Sequence, residues 1–329
     1  YPLRRQRQMC IRDSTTTYKI RVTTGVKDSA GNTLGSQYET SNGFSTVKLF
    51  VAVGSSGSIL TSPNGTSWTS RTSGFSGNDA YLFNIGFGNN VYVAVGAYSN
   101  DGRIFSSSDN GTTWDNMSSV SPKLLNGVTF GNNNFIAVGA YGNIVKSTDN
   151  GTTWDNVTSG TTQSLQEIAF GNNTFVAVGA VANNLRSTDN GTSWDNVTSG
   201  VITSMDSVTF GNNVFVAVGG LGNLYRSTDN GTTWDNMSNL TSSTLYDVGF
   251  GNNTFMAVGA SGKIVKSIDN GTTWDNASSG VTGNLRGVTY GNGTFVVVGD
   301  SDRLLTSPDG TTWTSTTFGT SKNYNEVTY

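Results

Sequence analysis

Two hydrophobic patterns alternate along most of this chain. Over Leu165-Gln-Glu-Ile-Ala-Phe170 apolar and other residues take turns, the period of a strand buried on one face. After Gly171-Asn-Asn173 comes Phe175-Val-Ala-Val-Gly179, a continuous apolar run too short for a helix and rich in β-branched residues, which predicts a central strand. Gly and Asn tolerate the positive φ of tight hairpins, so Gly171-Asn-Asn173 predicts a turn. A second turn covers 180–184, Leu185-Arg-Ser187 begins a third strand, and Ser187-Thr-Asp189-Asn-Gly191 turns the chain again. A fourth strand starts near Trp194 and fades by Gly200.

This four-strand unit recurs. The seven tryptophans, Trp68, Trp114, Trp154, Trp194, Trp234, Trp274 and Trp313, stand 40 residues apart except for a first gap of 46 and a last of 39. A period near 40 with four short strands per unit predicts an all-β, seven-bladed β-propeller of four-stranded antiparallel blades. The first unit opens at Lys48-Leu-Phe-Val-Ala-Val-Gly54, a second strand with no first strand before it. Tyr324-Asn-Glu-Val-Thr-Tyr329 matches the first strand Leu285-Arg-Gly-Val-Thr-Tyr290. The C-terminal strand is therefore expected to complete the N-terminal blade and close the ring, removing two free sheet edges. The competing expectation is an eighth repeat that has only begun.

Each Trp ends a phrase of the form Ser-x-Asp-x-Gly-x-x-Trp, clearest in Ser147-Thr-Asp149-Asn-Gly151-Thr-Thr-Trp154. The Asp can accept hydrogen bonds from backbone N–H groups of the turn, the Gly supplies a backbone conformation closed to other residues, and the Trp covers the turn. The phrase resembles the Asp box, or BNR repeat, of sialidases, sortilin-type receptors, some endoglucanases and the photosystem II assembly-factor propellers. The resemblance assigns structural roles to Asp109 and Trp114, Asp149 and Trp154, Asp189 and Trp194, Asp229 and Trp234, Asp269 and Trp274, and Asp309 and Trp313. In the first copy Asn64 replaces the Asp, and a weaker turn is expected there.

Upstream, residues 15–46 read differently. Tyr18-Lys-Ile-Arg-Val22 alternates as a strand, and Val26-Lys-Asp-Ser-Ala-Gly-Asn-Thr-Leu34 resembles the last strands of a bacterial S-layer-type Ig-like domain. Residues 15–46 are accordingly expected to be the remnant of such a sandwich, and residues 47–329 the propeller. Residues 1–14, YPLRRQRQMCIRDS, match nothing downstream and resemble translated sequencing-adapter read-through, a non-native or disordered leader.

Composition narrows the function. Four of the 19 basic residues lie in that leader, and the remainder, 15 basic against 21 acidic, has no basic cluster, which argues against nucleic acid as a partner. There is no His, which removes His-dependent triads and His-ligated zinc. Cys10 is alone, no apolar run reaches membrane-span length, and no motif calls for a cofactor or a metal. The Arg-Ile-Pro phrase of sialidases is absent, since Arg103-Ile104 is followed by Phe105. Arg186 and Arg226 occupy a repeated column shared with Lys146 and Lys266, and are read as solvated.

Binding must then come from the positions at which the repeats differ. Before the first strand's Val or Ile the copies read Phe83-Asn84, Asn126-Gly127, Gln166-Glu167, Asp206-Ser207, Tyr246-Asp247, Arg286-Gly287 and Asn325-Glu326. The loops between second and third strands also vary, through Tyr98, Asp101, Tyr141, Val181 and Leu221. The candidate ligand-binding residues at the channel mouth are Asn84, Asn126, Gln166, Glu167, Asp206, Tyr246, Asp247, Arg286, Glu326, Tyr98, Asp101 and Tyr141. The leading expectation is a non-catalytic, monomeric interaction or display module of a larger extracellular or cell-surface protein, taking a glycan, peptide or protein at this mouth. The alternatives are a glycoside hydrolase of Asp-box type and an assembly factor like the photosystem II propellers.

Overall fold

The computed structural model describes residues 48–117, 123–180, 183–197, 203–238 and 240–329, and the backbone of four short strands before them. The chain divides into two compact units, Tyr1–Lys48 and Leu49–Tyr329. In the first, Thr17–Tyr18 pairs with Phe44–Ser45 and Arg21–Val22 with Tyr38–Glu39, all antiparallel. The 1–14 leader and Val181 lie outside the described residues.

The second unit is a ring of seven four-stranded antiparallel sheets. Blade 1 runs in sheet order Tyr324–Thr328, Phe50–Gly54, Ile59–Ser62 and Thr69–Arg71, so the C-terminal strand is the innermost strand of the N-terminal blade. Blades 2 to 7 begin at Ala80–Gly88, Leu125–Gly131, Leu165–Gly171, Met205–Gly211, Leu245–Gly251 and Leu285–Gly291, and blade 7 ends at Thr314–Thr317. The apolar second strands of blades 1 and 3 to 6, such as Thr174–Gly179, are buried along their whole length, as a central strand between two packed faces must be. Among the described residues no helix is long and apolar enough to cross a membrane.

Neighbouring blades interlock through a glycine and an aromatic. A Cβ on Gly131, Gly171, Gly211, Gly251 or Gly291 would sit within 2.2 Å of Phe170, Phe210, Phe250, Tyr290 or Tyr329 respectively, each in the following blade. Each aromatic also tilts against its own blade's second strand, as Phe210 does on Phe215 at 4.7 Å between centroids. Tyr329 completes the series across the closure, seated over Gly291 and 4.6 Å from Phe50.

One end of the ring carries the hairpins between first and second strands and the Ser-x-Asp-x-Gly turns. Both hairpin asparagines take positive φ, as at Asn172 (48°) and Asn173 (58°). In the turn, Asp149 Oδ1 accepts from the Ser147 hydroxyl and the Thr153 N–H, Oδ2 accepts from the Thr153 hydroxyl, and Gly151 N–H donates to Ser147 Oγ. Asn64 performs the same task in blade 1, its Oδ1 accepting from the N–H groups of Thr66 and Ser67 at 3.0 and 2.9 Å. The weaker first turn expected from that replacement is not seen in its hydrogen bonds, because an amide oxygen accepts from the same donors. The indole N–H of Trp68, Trp114, Trp154 and Trp274 donates to the carbonyl of the turn glycine, whereas those of Trp194, Trp234 and Trp313 are buried without a partner among the described residues.

Candidate functional site at the channel mouth

The opposite end is built by the entrances of the innermost strands and the loops between second and third strands. The two meet there: Ala140, Ala180 and Ala260 N–H donate to Leu124, Ser164 and Thr244 carbonyls, each just before an innermost strand. Every innermost strand has a bulge at the same place, as between Leu165 and Glu167 and between Tyr324 and Glu326. An inserted residue turns the strand locally and aims two adjacent side chains differently. The divergent pair in each repeat is thus split: one residue falls on the bulge and faces the mouth, and the next projects into the channel.

The bulge column, Asn126, Gln166, Asp206, Tyr246, Arg286, Asn325 and Phe83, lines a vestibule of about 350 Å³. The next column, Asn84, Glu167, Ser207, Asp247 and Glu326, forms its floor and also borders the channel beyond, a second space of about 260 Å³ walled by Val and Thr. Nine of the twelve residues nominated from sequence therefore converge. Tyr98, Asp101 and Tyr141 do not line the vestibule; they stand exposed on the outer loops of the same face.

The floor is a chain of blade-to-blade hydrogen bonds. Asn84 Oδ1 accepts from Val128 N–H at 3.2 Å, and Asn84 Nδ2 donates to Glu167 Oε2 across the channel at 2.5 Å. The Ser207 hydroxyl accepts from Val248 N–H and donates to Asp247 Oδ1 at 2.7 Å, while Asp247 Oδ2 accepts from Val288 N–H at 2.7 Å. Two blades have glycine instead, and in both the following blade carries glutamate. Glu167 and Glu326 turn back to accept from the N–H of Ile168 and Val327 at 2.9 Å. The space they fill is that of the missing side chain, since a Cβ on Gly127 would meet Glu167 Oε1 at 2.6 Å and one on Gly287 would meet Glu326 Cα at 2.8 Å.

Burial dominates the electrostatics of this floor. It pushes the Glu167 and Glu326 carboxyls well above the ordinary range, with the charge of Asp247 adding to both. Asp247 is also raised by burial, against the opposing hydrogen bonds from Ser207, Val288 and Val248. In the vestibule burial pushes Asp206 up to about 6. Arg286, the one cation of the lining, forms a bidentate pair with Asp300 at 2.9 and 3.1 Å and stacks over the Tyr246 ring at 4.7 Å. Burial opposes the Asp300 charge, but the hydrogen bonds from Arg286 and Asn284 outweigh it and hold the carboxyl below its usual range.

Three groups were missed or misread from sequence. Arg186 and Arg226 are half-buried rather than solvated, their Nε atoms donating to the carbonyls of Asn230 and Asn270 in the next blade's turn. Asn89, Asn132, Asn172 and Asn212 donate to Asn150, Asn190, Asn230 and Asn270 at 2.7–3.0 Å, an amide ladder around the turn end. Its signal was the Asn that recurs in the five full turn phrases, though the positive φ of that position already favours Asn without the ladder. The Gly–Glu pairs of the floor were visible as columns, but their coupling depends on which blades are neighbours.

Asp247 and Glu167 accept hydrogen bonds from other blades, Glu326 accepts from Val327 N–H in its own strand, and among the described residues no three acidic, His or Cys side chains converge as metal ligands. Residues 95–253 match a family model described as the photosynthesis system II assembly factor YCF48. No curated protein matches the chain. Among solved structures, YCF48 bound to D1 peptide is 22% identical with a TM-score of 0.58, over 71% of this chain and 80% of that one. YCF48 from Cyanidioschyzon merolae is 17% identical, with a TM-score of 0.56, over 71% and 84%. A computationally designed protein, Ika8, aligns over 86% and 87% at 12% identity and a TM-score of 0.60. At such identities the structural likeness establishes the fold alone. The chain is a seven-bladed propeller that is similar, over residues 95–253, to the YCF48 assembly factors.

Proposed function

We propose that this protein is a non-catalytic propeller that holds a polypeptide client on its mouth face, in the manner of an assembly factor. The observation that carries this reading is the match of residues 95–253 to the YCF48 family, together with a solved relative bound to a peptide. It favours the assembly-factor alternative over the display platform that the sequence reading put first. The floor supports the non-catalytic part: both oxygens of Asp247 are held by blade-to-blade donors, and Glu167 and Glu326 each accept from a backbone N–H. The resemblance of residues 15–46 to S-layer-type Ig domains supports placing the propeller in a larger extracellular or cell-surface protein.

The test is binding of the full chain to a tiled peptide array and, in parallel, to a glycan array, with xyloglucan and sialosides assayed for turnover. Saturable peptide binding without hydrolysis is expected. A glycan-only signal, or hydrolysis lost in Asp247→Asn, would replace this reading with a carbohydrate-directed one.

A further inference from the structure

Resting on that reading, we infer the chemistry of the client: an extended segment that sets one basic side chain, lysine or arginine, in the vestibule and lays apolar side chains over the rim of blades 2, 3 and 5. Charge makes the first half of the argument. The vestibule holds the Asp206 carboxylate on its wall, above three floor carboxyl groups already engaged in hydrogen bonds, against one cation. That cation is already spent, because Arg286 is paired bidentately with Asp300. Asn126 and Asn325, in the same column as Asp206, donate their amides to the carbonyls of Leu165 and Leu82. The Asp206 carboxylate and the Gln166 amide have no hydrogen-bond partner among the described residues. A half-buried carboxylate beside an amide, with Tyr246 in the adjoining blade, suits a guanidinium or ammonium group, which gains an ion pair and an aromatic neighbour at once.

The rim supplies the second half. The exposed large apolar side chains among the described residues are Tyr81, Tyr98, Tyr141, Leu221 and Ile268. All but Ile268 lie on the mouth face, and Tyr141 and Leu221 are 68% and 78% exposed. Both occupy the loop position, two residues after the second strand's glycine, that is serine in three other blades, Ser56, Ser261 and Ser301, all of which share its positive φ. Serine is the easier residue at such an exposed, left-handed position, so the fold itself does not call for bulky side chains there. They do give an arc of apolar surface beside an acidic pocket. An arc and a pocket separated around a ring are spanned by a chain, and a compact small molecule would reach only one of them.

The experiment pans a random dodecapeptide library against the full chain and measures an enriched peptide by fluorescence anisotropy. Enrichment of one Lys or Arg flanked by Leu, Ile, Val or Phe is expected. Asp206→Asn should weaken that peptide about tenfold, and replacing its basic residue by norleucine should do the same, with no further loss when both changes are combined. Leu221→Ser should weaken it roughly threefold to tenfold while the melting temperature stays unchanged. Selection of acidic peptides, of apolar peptides without a basic residue, or unchanged affinity in Asp206→Asn would overturn this inference and leave the peptide-binding reading standing. Failure to enrich any peptide would overturn both.

Discussion

At the turn end of the ring, Asn89, Asn132, Asn172 and Asn212 each reach the next blade's turn by the same bond. At the mouth the corresponding blade-to-blade contacts use Asn, Gly, Glu, Ser, Asp, Gly and Glu in turn. The two ends come from the same repeats and meet the same requirement, that each blade dock on the next. Where one residue type serves these four junctions, the blades that share it can be exchanged for one another. At the mouth the junctions are solved in pairs: a glycine is followed by a glutamate that fills its space, and a serine by an aspartate that takes its proton donor. That end can vary its chemistry because each change is absorbed by one neighbour.

The junction formed by strands most distant in sequence offers the largest test of the ring. Deleting residues 324–329 removes the innermost strand of blade 1, with the buried Tyr324 and Val327 and the Tyr329 ring against Phe50. At about 1.5–3 kcal/mol for each large apolar side chain, the loss is on the order of 5 kcal/mol or more, before the unpaired strand edge is counted. Urea denaturation followed by tryptophan fluorescence should show a much lower midpoint. An unchanged midpoint would mean the closure contributes little.

A smaller effect separates the two ends directly. Gly171→Ala places a methyl about where the Phe210 ring now lies and should cost roughly 1–3 kcal/mol by overpacking. Gly220→Ala, on the mouth face, meets nothing within 4 Å, and alanine already holds that position as Ala140, Ala180 and Ala260. It should stay within about 0.5 kcal/mol of the parent. Equal losses at both positions would contradict the division between fixed turn end and adjustable mouth.

The fold was legible because one pattern was written seven times: alternation gave the innermost strands, the β-branched runs the second strands, and the match of Tyr324–Tyr329 to Leu285–Tyr290 the closure. The mouth was legible as a set of columns, since positions that vary within a fixed scaffold have been released from it. What could not be read was the bulge that sends Asp206 to the vestibule and Ser207 to the floor, because a bulge is a property of pairing with the second strand. Arg186 was misread for the same reason: its partner, the Asn230 carbonyl, lies 44 residues away in the neighbouring blade. Tyr98, Asp101 and Tyr141 were placed on the right face, but on the rim, at the far ends of loops whose reach the sequence does not encode.

The carboxylates of the two ends should also give opposite pH responses. At the turn end the Thr153 N–H and hydroxyl hold Asp149 below its ordinary range, and the N–H groups of Thr312 and Thr311 bring Asp309 to about 2. Depressed carboxyls stabilise the fold above their unfolded value near 4, and that contribution is lost as pH falls toward 2. Glu167, Asp247 and Glu326 are raised, so their contribution is full below about 4 and is lost as pH rises through their folded values; Asp206 follows between about 4 and 6. The melting temperature should therefore peak near pH 4–5 and decline on both sides. Glu326→Gln keeps the oxygen that accepts from Val327 N–H and removes the charge. It should raise the melting temperature by a few degrees at pH 8 and leave it unchanged at pH 4, because only the alkaline limb belongs to the mouth. A variant that shifts both limbs alike would show the two ends to be one electrostatic unit.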